Sequence, residues 1–177
     1  MKQNYNRMKK LIFTTFLCLG LIVLTNSAAN AQTFQKGDVV VNAGIGLGTT
    51  YSWAGGLGLP IGAGLEYGVS NLDVGSIGVG GDFGYVSGSG LSILYIGGRG
   101  TYHFNELLDV DNDKLDVYGG LGIYYRSFNY NGYGTFSNGI IGSFDVGARY
   151  YFSDNIGGYA ELSNNWGWLN VGVAIKI

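Results

Sequence analysis

From residue 38 onward the chain alternates between apolar side chains and polar or small ones with a period of two. That is the pattern of a β-strand whose two faces meet different surroundings. Eight such segments can be read, at 38–48, 59–69, 72–86, 91–104, 114–127, 140–152, 155–163 and 168–177. Short breaks carry turn residues, Ser70-Asn71 and Ser153-Asp154-Asn155. Longer Gly-, Ser-, Asn- and aromatic-rich breaks alternate with them at 49–58, 87–90, 128–139 and 164–167, and an acidic stretch runs from Asn105 to Asp113. The arrangement predicts four hairpins in one domain, with no repeat and no second domain.

Sorting each segment by parity separates its residues sharply. In the last segment Leu169, Val171, Val173, Ile175 and Ile177 share one face, while Trp168, Asn170, Gly172, Ala174 and Lys176 share the other. The strand charges fall on the second face: Glu66, Asp82, Arg99, Asp116, Arg126, Asp145, Arg149, Glu161 and Lys176. Asp73 is the exception and adjoins a turn. Two closed sheets fit such a meander, a soluble barrel with apolar residues inside and a membrane barrel with apolar residues outside. An eight-stranded barrel has an interior just wide enough for side chains to fill. A face studded with Gly44, Gly46, Gly62, Gly64, Gly78, Gly80, Gly120, Gly122 and Gly147 suits that interior. In water it would leave a surface with few charges for solubility. The expected fold is therefore all-β, an eight-stranded antiparallel up-and-down transmembrane β-barrel.

Composition agrees. The 177 residues hold 33 Gly and one Pro, with 15% aromatic and only 12% charged residues, about half the usual charge. The large rings gather at two levels, Tyr67, Tyr102, Phe104, Tyr150 and Phe152 at one end and Phe83, Tyr85, Tyr125, Trp166 and Trp168 at the other. β-Propensity explains their number, whereas interfacial girdles explain their grouping.

The N-terminus reads as a secretory leader. A basic head of Lys2, Arg7, Lys9 and Lys10 precedes an apolar run from Leu11 to Leu24, and Ala28-Ala29-Asn30-Ala31 offers a small-residue cleavage site. That run is too short for a membrane-spanning helix. Residues 1–31 are thus assigned to the signal peptide and 32–177 to the barrel, with Gln32 as the new N-terminus. Removing the leader takes four bases and Cys18 with it, leaving 146 residues of formal charge −6 and no cysteine. Such an acidic product is unsuited to nucleic acid.

With this leader, eight segments, and a terminal strand reading Leu169-Asn170-Val171-Gly172-Val173-Ala174-Ile175-Lys176-Ile177, the chain resembles the small Gram-negative outer-membrane barrels of the OmpA/OmpX type. The resemblance implies residence in the outer membrane, among its lipid and lipopolysaccharide, after insertion by the barrel assembly machinery. It also implies periplasmic termini and short turns, and four extracellular loops. Family members commonly end in an aromatic residue, and Ile177 departs from that.

The five acids and four bases of the inner face predict mutual neutralisation, an ion-pair plug rather than a polar pathway. A narrow channel for small or hydrophobic solutes, similar to the OmpW type, is the alternative, since lumenal glycines leave room for water. Glu161-Leu162-Ser163-Asn164 faintly resembles the His-x-Ser-Asn segment of lipid A deacylase barrels, but Glu161 stands where the activating base is needed. His103, the sole histidine, reads as structural. The chain is therefore expected to be non-enzymatic and without a cofactor. Asp109-Val110-Asp111-Asn112-Asp113 begins like a calcium loop, yet Lys114 and Gly120 occupy positions that need Gly and Glu. It reads as a solvated acidic turn. The loop residues Tyr51, Trp53, Phe128, Tyr130, Tyr133 and Phe136 could contact an extracellular ligand. Strand extension above the membrane is the preferred reading of the same residues.

Overall fold

A computed structural model describes residues 34–49, 51, 56–130 and 136–177. The leader with its cleavage site, Trp53 and Tyr133 lie outside the described residues. Eight strands follow in chain order: β1 (Val39–Leu47), β2 (Ile61–Leu72), β3 (Gly75–Gly88), β4 (Leu91–His103), β5 (Leu115–Tyr130), β6 (Gly139–Tyr151), β7 (Ile156–Ser163) and β8 (Leu169–Lys176). Each pairs antiparallel with the next. β1 pairs with β8 from Val40↔Lys176 to Leu47↔Leu169, closing the barrel.

The parity argument fixes which way the wall faces. Ile140 and Leu121 stand outside at 76% and 74% exposure, with Ile123, Phe144, Val146 and Leu162 beside them. The opposite face of the same strands is sealed: Arg149 has no exposed surface, and Asp116, Asp145 and Glu66 are each 1% exposed. Apolar side chains point outward and charged ones inward, as in membrane barrels. Tyr85, Phe83, Tyr125 and Trp168 form an outer belt at one end, and Tyr67, Tyr150 and Phe152 form one at the other. Trp166 departs from the expected belt. It is buried inside the barrel, where a Cβ at Gly62 would stand 2.6 Å from its ring.

Two connections also differ from expectation. β2 continues through Ser70 and Asn71, past a register shift between Gly68 and Ser70, and the chain reverses at Asp73-Val74. The bulge absorbs one residue and delays the turn. The break at 87–90 is not a long loop. Gly88 pairs with Leu91 across Ser89-Gly90, whose φ values of 48° and 79° match the two-residue turn favoured by twisted hairpins. That turn lets β3, β4 and β5 run on until Leu91 pairs with Tyr130. Above the outer aromatic belt their inner face becomes apolar, with Val86, Leu91, Ile93, Tyr95 and Trp166 buried against Tyr51, Leu57, Phe128, Phe136 and Ile141. Phe128 and Tyr130 are thus part of an extended strand, and Phe128 and Phe136 stack at 5.2 Å.

At the opposite end the residues before β1 fold into the mouth. Phe34 is buried, its carbonyl accepts from Ser76 Oγ at 2.6 Å, and Gly37 N donates to Gly68 O at 2.8 Å.

In a bilayer the outward side of Leu121, at the middle of β5, meets acyl chains. Leu121→Arg is expected to lower barrel stability by about 2–4 kcal/mol in reversible unfolding from liposomes. The lumen-facing Thr101→Ser in the same assay should cost under about 1 kcal/mol.

Candidate functional site

The wall brings the inward charges to two levels, each centred on one guanidinium. At the level nearer the N-terminus Arg149 of β6 donates to Asp116 Oδ2 of β5 at 3.0 Å and to Glu66 Oε2 of β2. His103 of β4 completes a ring, with Nδ1 2.7 Å from Asp116 Oδ1 and Nε2 3.1 Å from Glu66 Oε1. Thr101 Oγ1 donates to Glu66 as well. Each ring nitrogen thus has a carboxylate oxygen within hydrogen-bond reach. Phe34 stacks on that imidazole with centroids 3.9 Å apart.

At the second level Arg99 of β4 faces three carboxylates. Its Nη1 lies 2.6 Å from Glu161 Oε2 and 3.3 Å from Asp145 Oδ2, and its Nε lies 3.6 Å from Asp82 Oδ2. Tyr124 donates to Asp82 Oδ2 at 2.9 Å. Tyr118 joins the levels: its hydroxyl donates to Glu161 Oε2 at 3.0 Å, and its ring lies 4.3 Å from the Arg149 guanidinium and 5.8 Å from that of Arg99.

All nine sequence-predicted charges are inward or at the mouths, but they do not form one balanced set. Lys176 lies at the N-terminal mouth, 2.8 Å from Asp38 Oδ2. Arg126 lies at the other end over the rings of Tyr51 and Phe128, 5.0 Å from each. Among the described residues, the five acids therefore meet Arg99, Arg149 and His103. Strand parity could place Arg126 and Lys176 on the inner face but not at a height, and height decides which charges meet. Tyr118, Tyr124 and Thr101 belong to the network too. Their inward parity was readable; their partners lie across the barrel and were not.

The lumenal glycines make room for the large inward side chains. Many large inward residues have a glycine as a cross-strand partner, among them Glu66↔Gly80, Asp82↔Gly97, Arg99↔Gly122, Asp145↔Gly120, Tyr118↔Gly147 and Tyr159↔Gly172. A Cβ on Gly147 would stand 2.6 Å from Tyr118 Oη, and one on Gly122 2.7 Å from the Tyr124 ring. What space remains beside Arg99 is a cavity of about 10 Å³, room for about one water, lined in part by Asn42, Asp82, Tyr159, Glu161 and Trp166.

Ser163, the serine of the deacylase-like segment, is buried in loop bonding. It donates to Gly167 O at 3.0 Å and accepts from Asn170 Nδ2 at 3.0 Å, while His103 is engaged by Asp116 and Glu66. No serine–histidine pair is built at this position. The acidic stretch after β4 forms turns, with Asn105 Oδ1 accepting from Val117 N at 2.8 Å. Among the described residues no three Asp, Glu, His or Cys side chains converge as a metal site.

The fold is that of the small outer-membrane barrels of the OmpA/OmpX type. The N-terminal β-barrel domain of OprF from Pseudomonas aeruginosa superposes with a TM-score of 0.55 at 17% identity, covering 81% of this chain and all of that domain. OprG from the same organism gives 0.54 at 11% identity, over 84% of this chain and 99% of its own. A de novo designed transmembrane β-barrel gives 0.54 at 20% identity, over 82% of this chain and all of its own. No protein-family model matches the chain, and no curated protein matches it in sequence.

Removing one partner of a buried ion pair leaves the others uncompensated. Arg149→Met is expected to destabilise the barrel by about 3–5 kcal/mol in urea unfolding. Adding Glu66→Gln to that variant should restore part of the loss, because one stranded carboxylate is removed with it.

Proposed function

We propose that this chain is a non-enzymatic barrel protein of the bacterial outer membrane, with its lumen closed by the two guanidinium-centred clusters. Its work is then done by its outer surface and loop end, as an envelope structural element or a surface for interaction. The observation that carries this reading is the filling of the axis. Arg149 and Arg99 lie at successive levels with Tyr118 between them, and both are at most 9% exposed. An ion crossing this region would have to separate pairs that are already out of water, which is costly. The apolar outward face supports contact with lipid and lipopolysaccharide, reached through the barrel assembly machinery after removal of the leader at residues 1–31. The short turns would then be periplasmic, and the aromatic cap around Tyr51, Phe128 and Phe136 would face outside the cell, where a ligand could meet it.

The test is electrical. The purified, refolded barrel in a planar lipid bilayer is expected to insert without conducting. Steady single-channel steps would overturn the closed lumen and favour a narrow channel for small or hydrophobic solutes instead.

A further inference from the structure

The two ends of the barrel carry charge very differently. All 12 Asp and Glu residues of the chain fall within the described residues. Asp73, Glu106, Asp109, Asp111, Asp113 and Asp154 are exposed at the end that holds the N-terminal mouth. The segments that build the loop end, 46–65, 84–98, 120–144 and 162–172, contain no acid and a single base, Arg126. Arg126 lies on β5 between Tyr95 and Gly139 of the neighbouring strands and is half-buried. Each of Arg99 and Arg149 meets at least two carboxylates, whereas none of the acids pairs with Arg126. Its Nε is buried without a hydrogen-bond partner. What surrounds it is aromatic: its guanidinium carbon is 5.0 Å from the ring centroids of both Tyr51 and Phe128. Phe136 stacks on Phe128 at 5.2 Å, and Tyr130, 38% exposed, meets Phe136 edge-on at 5.1 Å. Ring faces attract a cation but do not neutralise it.

We infer that Arg126 and the rings around it form a site for one carboxylate carried on a sugar ring, an acidic saccharide of the uronic acid kind. A guanidinium presents a planar fork that a carboxylate matches with two parallel hydrogen bonds. With Nε covered, the Nη pair is the edge such a carboxylate would meet. One positive charge at an otherwise uncharged end suits a ligand with one negative charge. A phosphate ester, with about −1.5 to −2, would leave an excess. The rings beside the fork offer flat apolar surface to the C–H face of a pyranose. The exposed Asn129, Tyr130 and Ser137 offer its hydroxyls hydrogen bonds without adding charge. The inference deepens the reading of the loop end as a surface for interaction and rests on it, but not on whether the lumen conducts.

The mature barrel would be refolded at pH 7 into a polyoxyethylene detergent, which carries neither charge nor sugar. Saturation-transfer NMR would then follow titration with methyl glucuronide, its methyl ester and methyl glucoside. The expected result is saturable transfer to the ring protons of the acid, with the two neutral sugars bound at least about tenfold more weakly. Arg126→Met should abolish the preference for the acid, and Arg126→Lys should keep part of it. Equal binding of acid and ester would overturn the site, as would an Arg126→Met barrel that still prefers the acid. N-acetylaspartyl methylamide binding as tightly as the glucuronide would overturn the sugar in favour of an acidic peptide segment. If Arg126→Met fails to fold, the acid–ester comparison on the wild type decides. Lipopolysaccharide with acidic core sugars, added as competitor, separates two sources of the same chemistry: displacement of the glucuronide assigns the surrounding lipid's own saccharide, retention a free one. A conducting barrel that binds the acid would overturn the closed lumen alone, and a silent barrel that does not bind it would overturn this site alone.

Discussion

Closing eight strands into a barrel leaves an interior only about one side chain across from any point on the wall, and every other feature of this molecule answers to that width. With the apolar face turned outward, the interior must be filled by polar residues that satisfy one another rather than water. The solution here is a register rule. Large inward residues sit beside glycines on the next strand, as in Arg99↔Gly122, Asp145↔Gly120 and Tyr118↔Gly147. A β-carbon in those places would collide with the neighbour's ring or carboxylate. The glycines at these positions are therefore a packing requirement of the charges and rings beside them.

The choice of arginine at both levels follows from the same shortage of space. A guanidinium offers five donors in a planar fork and stays charged when buried. One Arg99 can therefore face Glu161, Asp145 and Asp82 at once. It can also sit over a ring, as Arg149 does over Tyr118 at 4.3 Å. Lysine, a compact and strongly hydrated cation, appears only at the mouth, where Lys176 meets Asp38, itself 24% exposed. The mouths are treated differently from the middle. Phe34 stacks on His103 at one end, and an apolar, aromatic cap covers the other.

Much of this was legible in the chain because strand parity is a strict signal. Each of the eight segments is a strand, and the inward face of Glu66, Asp116, Asp145, Arg149 and Glu161 follows from a period of two. What parity cannot convey is height and local slippage. The bulge after Gly68 moved a turn from Ser70-Asn71 to Asp73-Val74, because Ser and Asn suit a strand mouth as well as a turn. Trp166 lies in a short loop between β7 and β8, where alternation no longer tells inside from outside. It folds in over Gly62 and Gly84 rather than joining the outer belt. Arg126 and Lys176 are on the correct face yet meet other groups, Arg126 the rings of Tyr51 and Phe128 and Lys176 the carboxylate of Asp38. That depends on strand stagger, which no single segment encodes.

The backbone ladder joins only neighbouring strands, and closure rests in it on the single β1–β8 seam. The lumenal pairs add contacts between strands that are not neighbours. Arg149 on β6 reaches Glu66 on β2, Arg99 on β4 reaches Glu161 on β7, and Tyr124 on β5 reaches Asp82 on β3. Each contact spans strands that share no ladder, so each forms only when the strands between them are in register. A slip of one residue anywhere would turn the charged face of that strand outward. It would strand its partner across the lumen at the same time, at a cost of several kcal/mol for each uncompensated ion. Charges that add little net stability against a well-packed apolar filling thus supply what the outward apolar face cannot, a penalty specific to the wrong register.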